Sequence, residues 1–318
     1  MIDRDDEPIR EAGMEAGMEA GMEALRAELS AALGEPIGRM EQISEQPYAY
    51  LYALYTRQGA AIPLVAKSYL CAGVAQQEAY KLSMLARQGT VRLPAVFGVL
   101  TTCQAPFQEI LLIERLRGVA AEAPARNPAR WESLKEQIVE GLLAWHRIDS
   151  HGCVGNVDSV QENGWPQWYQ QRVTVIWSLL DAARMGALSM PVRRALFRSQ
   201  AQLDTLFNGF DDSAVLVHGN LTLRSILKDS RSDQLLAMLN PGMTLWAPRE
   251  YDLFRLSEDE PSADLLASYL RKAPVSEAFM ARRWLYMLWE ATNRYLHTGV
   301  QEQAVLTRAA QQLLPWLG

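Results

Sequence analysis

Near residue 115 the spacing of the apolar residues changes from strand-like to helical, and this division sets the architecture the chain can adopt. Up to Arg115 the apolar residues form short alternating or continuous runs: Ile37–Ile43, Ala49–Thr56 with Tyr50, Tyr52 and Leu54 alternating, Ile62–Tyr69, Val91–Leu100 and Glu109–Arg115. Such runs predict strands, and the Gln58-Gly59 turn folds the first three into an antiparallel meander. One helix interrupts them, over residues 74–88, with Val74, Ala79, Leu82 and Leu85 on one face and Gly89 as its stop. After Gly118 helical spacing dominates: Trp131–Ile148, Trp165–Met185, Val192–Phe207, Asp264–Lys272, Ser276–His297 and Gln301–Leu314. The expected fold is therefore α+β, with a small antiparallel sheet lobe over residues 22–115 and a larger helical lobe over 116–318.

Ahead of these lobes GMEA occurs three times, from Gly13, Gly17 and Gly21. A glycine in every turn costs a helix about 1 kcal/mol each relative to alanine, so residues 1–21 read as frayed or disordered, with an amphipathic helix from Met22 to Leu33. Met1, Met14, Met18 and Met22 also offer alternative translation starts. The chain of 318 residues is 49% apolar and 21% charged, which suits a globular protein with a sizeable core. No apolar run approaches the ~18 residues a membrane helix needs, and the N-terminus lacks a basic segment followed by an apolar one. The expectation is a cytoplasmic protein without a membrane partner. Cys71, Cys103 and Cys153 lack metal-ligand spacing and read as buried thiols. A formal net charge of -6 without a basic, aromatic-interleaved stripe argues against nucleic acid as a partner.

The stretch VLVHGNLTLRSILKD, residues 215–229, is the most informative local pattern. Val215–Val217 and Ile226–Leu227 read as short strands holding a polar loop that begins His218-Gly219-Asn220. Loops held between fixed strand ends are where chemistry is commonly mounted.

Lys67 in LVAKSY, Glu78 in QQEAYKLSML, RLPAVFGV at 92–99, EILLIERLRG at 109–118, LLAWHRID at 142–149 and the HG loop at 218 occur in a telling order. From about Leu33 to Leu256 the chain resembles the aminoglycoside phosphotransferase and choline kinase-like family of the protein-kinase-like fold, and within it the YcbJ-type phosphotransferase-like proteins. The resemblance implies a phosphate-binding lysine at Lys67 with Glu78 as its ion-pair partner, and an adenine-facing hinge that includes Glu114 and Leu116. It implies ATP or another nucleotide as cofactor, and a small molecule or a protein as further partner. In the family the loop reads HGDxxxxN, where the aspartate is the base and the asparagine holds magnesium. A later strand aspartate holds a second ion.

Here the base position is Asn220, the first metal position Ser225 and the best match to the second Asn240. These offer neutral oxygens only, whereas magnesium is normally held by one or two carboxylates with phosphate oxygens. An amide also cannot accept the acceptor's proton, and a positioned base is typically worth about 10²–10⁴ in rate. The turn expected to cover the nucleotide, ISEQPY at 43–48, has no glycine, carries Glu45 and includes Pro47, which lacks an N–H. The sequence therefore predicts a pseudokinase-like nucleotide-binding or regulatory module. One alternative is an active kinase of a small hydroxyl- or amine-bearing metabolite with an atypical metal site, and another a nucleotide transferase.

Several residues have plain structural readings beside these. Lys67 and Glu78 can be a tether, His218 can structure the loop, and His146 beside Trp145 can be a packed core histidine. Trp165, Trp168, Tyr169 and Trp177 have near-helical spacing and read as helix core rather than acceptor pocket. Asp252, in PREYDLFRL, stands where the resemblance implies a brace for the loop backbone. Asp252 or Asp229 is the carboxylate available to rescue metal binding.

Overall fold

The computed structural model describes residues 21–318 apart from 47, 103, 105 and 258. The readings of the GMEA segment up to residue 20, of Pro47 and of Cys103 lie outside the described residues. The chain divides into two compact units, one reaching to Met84 and resuming over Pro94–Arg117, the other formed by Leu85–Leu93 with Gly118–Gly318. The first is a sheet with helices and the second is mainly helical, which is the α+β class expected.

In the first unit, α1 (21–33) precedes β1 (Ile37–Gln46), β2 (Ala49–Thr56), β3 (Ala61–Tyr69), α2 (Val74–Gln88), β4 (Val96–Thr101) and β5 (Glu109–Glu114). The strands form one antiparallel sheet in the order β1-β2-β3-β5-β4. Leu25 and Leu29, one helical turn apart on α1, are buried against Tyr52, Leu54, Leu64, Ala66, Ile110 and Leu112. Because side chains alternate across a strand, Leu64 and Ala66 on that face leave Lys67 and Tyr69 on the other.

Two strand boundaries differ from expectation. β1 continues past Ile43, with Glu45 paired to Tyr50 and Gln46 to Ala49, so most of the stretch read as a covering turn is ladder. The run expected as strand over Val91–Leu100 starts only at Val96. Pro94 has no N–H to give a ladder, and Val91 and Leu93 are buried within the second unit's segment, where Arg92 O accepts from Met238 N at 3.0 Å.

The second unit contains β6 (Val119–Ala120), α3 (Pro128–His146), β7 (Val154–Asn156), β8 (Ser159–Gln161), α4 (Trp165–Leu179), α5 (Ala182–Ala187), α6 (Met190–Ala201), α7 (Leu203–Leu206) and β9 (Val215–Val217). It continues with β10 (Ile226–Lys228), β11 (Leu235–Met238), β12 (Leu245–Ala247), α8 (Glu250–Leu253), α9 (Glu260–Lys272), α10 (Phe279–Thr298) and α11 (Gln303–Leu313). The helix expected over 165–185 breaks because Asp181 caps a new helix, accepting from Arg184 N at 2.7 Å. Among the described residues no helix is long and apolar enough to cross a membrane. Cys71 is exposed just after β3 and Cys153 is half-buried, so neither is the fully buried thiol expected.

β9 and β10 are not partners. β9 lies in the sheet β8-β7-β12-β9 and β10 in β11-β10-β6, so the 218–225 loop bridges two small sheets. Below it Trp165, Tyr169, Tyr251 and Tyr286 pack edge to face, with Trp165 and Tyr169 in the core as expected. Beside them Arg282 holds fully buried Glu250 through two bonds of 2.8 Å, and the Tyr286 hydroxyl donates to the same carboxylate. Arg282→Met strands that carboxylate and is expected to lower stability by about 3–5 kcal/mol in urea unfolding. Arg282→Met with Glu250→Leu is expected to recover most of the loss.

Candidate functional site

On the face of β3 opposite α1, Lys67 Nζ reaches both carboxylate oxygens of Glu78, at 2.9 and 2.8 Å. The lysine is buried and the glutamate nearly so. Tyr69, two residues along the strand from Lys67, donates its hydroxyl to Glu78 Oε2 and lies under the ammonium group, 5.4 Å from ring centroid to Nζ. Burial, followed by the Glu78 charge, pushes the Tyr69 phenol far above its ordinary range, so it stays a donor. Glu109 Oε2 accepts from Ala75 N at 2.9 Å, which fixes the first turn of α2 and hence the position of Glu78. Glu114 ends β5, bonding Ala95 O through its N–H at 2.8 Å, and half-buried Leu116 follows.

In the second unit the loop after β9 is held by its backbone. Asp252 on α8 accepts from His218 N at 2.8 Å and from Gly219 N at 2.7 Å. His146 adds a third contact to that carboxylate, Nε2 to Oδ2 at 3.1 Å, while its Nδ1 meets the Tyr269 hydroxyl at 2.7 Å. His146 is thus more than the packed core histidine expected, since both ring nitrogens are engaged. Burial opposes ionisation of Asp252, but the His146 hydrogen bond, the two imidazoles and the Gly219 N–H hold its pKa below the usual carboxylate value. The His218 ring is fully buried and stacked on Trp145 at 6.0 Å, and burial lowers its pKa. Gly219 has φ 78°, and a Cβ there would come within 1.8 Å of Met243 O, so only glycine fits.

Asn220 is fixed at both ends of its amide: Nδ2 donates to Asn240 O at 3.1 Å, and Oδ1 accepts from Arg255 Nη1 at 2.7 Å. Asn240 has a left-handed backbone, φ 52°. Ser225 closes a capping box with Thr222, its Oγ accepting from Thr222 N at 3.0 Å and lying 2.8 Å from Thr222 O and 3.0 Å from Asn220 O. The structure therefore brings Asn220, Ser225 and Asn240 together around one loop. Both oxygens of Asp252 serve that loop, and Asp229 Oδ1 accepts from Arg231 N, Ser232 N and Ser232 Oγ. Among the described residues no group of three or more His, Cys, Asp or Glu could hold a metal ion.

Tyr69, Glu109 and Arg255 were missed in the sequence. Arg255 carried a usable signal: it follows Asp252 by three residues, one helical turn, and so shares its face toward the loop. Nearby, Arg172 on α4 binds Glu290 on α10 through two bonds of 2.7 Å and touches Met243 Sδ at 3.1 Å.

Comparison with known proteins matches residues 52–285 to a model described as "Phosphotransferase enzyme family". The "Uncharacterized protein YcbJ" of Escherichia coli (strain K12) is 54% identical over 283 residues, spanning 89% of this chain and 95% of the relative. Among solved structures, a Haemophilus somnus 129PT protein designated a candidate fructosamine-3-kinase superposes with a TM-score of 0.72 at 16% identity, covering 92% of this chain and 97% of that one. A thermostable mutant of aminoglycoside phosphotransferase APH(4)-Ia, in ternary complex with ADP and hygromycin B, gives 0.68 at 13% identity, covering 92% and 98%.

Proposed function

The chain belongs to the phosphotransferase enzyme family, and we propose that within it the chain is a pseudokinase-like module that binds a nucleotide in the cytoplasm and does not transfer its phosphate. The observation that carries this reading is Asn220. At the position where the resemblance puts the base stands an amide that cannot take a proton, with its oxygen already accepting from Arg255. Phosphoryl transfer depends on positioning and charge neutralisation, and both are weakened when the base and the metal positions are neutral. Nucleotide binding is supported by the buried Lys67–Glu78 pair, the arrangement that implies a phosphate-binding lysine. The ADP held by the structural neighbour supports the same ligand class.

A second reading, an active kinase of a small hydroxyl- or amine-bearing metabolite, is favoured by the same Lys67–Glu78 pair and by the retained brace of the loop by Asp252. The two are separated by measuring ATP turnover and nucleotide-dependent thermal stability on one preparation. We expect no turnover, together with stabilisation of about 2.7 kcal/mol at a hundredfold excess of nucleotide over its dissociation constant. Lys67→Ala is expected to abolish that stabilisation while leaving the chain folded. Wild-type turnover of ~1–100 s⁻¹ that disappears in folded Lys67→Ala establishes the kinase instead.

A further inference from the structure

The face of β3 that carries Lys67 has a second cationic end. Strand pairing sets its side chains in rows: Leu51, Lys67 and Leu111 are cross-strand partners, and so are Ala53, Val65 and Ile113, two residues further along each strand. Because side chains alternate, both rows stand on one face, which Tyr55 on β2 and Arg115 just past β5 continue. Tyr55 is paired with Arg39 on β1. Arg115 N donates to Pro63 O at 2.9 Å, and the side chain crosses β3 so that Nη2 donates to the Tyr55 hydroxyl at 3.2 Å. From Leu51, beside Lys67, to Tyr55 is about 13 Å of extended strand. The face therefore runs from a lysine row, through an apolar row, to a pair of arginines.

The two guanidinium groups meet at one ring. Arg39 Cζ lies 4.3 Å from the Tyr55 centroid and Arg115 Cζ 5.3 Å. Attraction to the negative face of a ring is weak where water has access, and so is the exposed ion pair of Arg39 with Glu41 at 3.3 Å. Arg115 makes no ion pair with a carboxylate among the described residues, and its Nη1 is buried without a hydrogen-bond partner. A charged donor in that position is satisfied by an oxygen acceptor from outside the chain. Arg115 and Tyr55 are half-buried while Arg39 and Pro63 are exposed, so an anion can reach this end of the face. The planar donors of a guanidinium match phosphate oxygens, and a phosphate monoester carries enough negative charge to meet both arginines. A molecule that fits the whole order is anionic at both ends and uncharged between them.

We infer that Arg39 and Arg115 form a subsite for a phosphate on the ribose of a nucleotide whose 5′-phosphates lie at Lys67. This rests on the nucleotide reading above, and the experiment separates the two. The full chain is titrated by calorimetry with ADP, with ADP carrying a ribose 2′-phosphate and with ADP carrying a ribose 3′-phosphate. One of the two phosphorylated forms is expected to bind about tenfold or more tighter than ADP, the size of one charge-assisted hydrogen bond. In Arg115→Gln that ratio is expected to fall toward one, and in Arg39→Gln part of the way. Thermal melting checks that each variant is folded. If ADP binds as tightly as both phosphorylated forms, the inference is overturned and nucleotide binding stands. A ratio that survives in folded Arg115→Gln overturns it as well, because the preference then arises elsewhere. If none of the three binds, the nucleotide reading falls and the inference with it. If Arg115→Gln does not fold, the wild-type ratio and Arg39→Gln decide.

Discussion

Asp252→Ala is expected to lower the stability of the chain by about 3–5 kcal/mol, the loss typical when one partner of a buried charged network is removed. The carboxylate accepts two loop N–H groups and meets His146, and all three are stranded by alanine. Urea unfolding measures the loss directly, and a cost below about 1 kcal/mol would show that the loop is held by something else. The same carboxylate predicts a pH dependence. Its pKa is lower in the folded chain than the ordinary value of 3.8, so the unfolded chain binds the proton more readily. Its contribution is therefore fully present above the unfolded pKa and is lost as pH falls through the folded one. Stability of the wild type should fall in that acidic window more steeply than that of Asp252→Asn, which has no carboxylate to protonate. Parallel profiles for the two proteins would contradict this.

Much of the frame was legible because it rests on local periodicity. Ala49–Thr56 and Val74–Gln88 form over the residues their patterns mark, and Lys67 and Glu78 can meet because a strand period and a helical turn each place them on the shared side. The three-residue strands β7, β8 and β12 were not legible, since an alternation needs more residues than they contain. Nor did the apolar run from Val91 reveal that Val91 and Leu93 are buried in a different unit from Val96. At the site, sequence spacing identified the loop residues but not their partners. His146 and Asp252 are 106 positions apart and Asn220 and Arg255 are 35 apart, and only tertiary folding joins them.

The hydrogen bond from Arg255 to Asn220 bears on what it takes to rebuild a metal site. Asn220→Asp, Ser225→Asn and Asn240→Asp together return a donor set with two carboxylates, and Asn240→Asp is compatible with the left-handed backbone at that position. With Arg255 in place, however, the new carboxylate at 220 is expected to form a charge-assisted pair with the guanidinium, worth about 1.5–3 kcal/mol against any incoming ion. The triple variant should therefore gain little magnesium dependence. Adding Arg255→Gln should release the carboxylate, and magnesium should then tighten ATP binding by about tenfold or more. Transfer should not follow, because it needs an acceptor held in line, and because β1 and β2 are paired through Gln46 and Ala49 where a phosphate-covering loop would be required. Calorimetry with and without magnesium, and ATP hydrolysis on the same preparations, test both steps. If the triple variant with Arg255 intact responds to magnesium as strongly as the quadruple one, the guanidinium is not what excludes the ion. If the quadruple variant turns over ATP at ~1–100 s⁻¹, the missing acceptor and covering loop are not the barrier, and the neutral loop alone accounts for the lost chemistry.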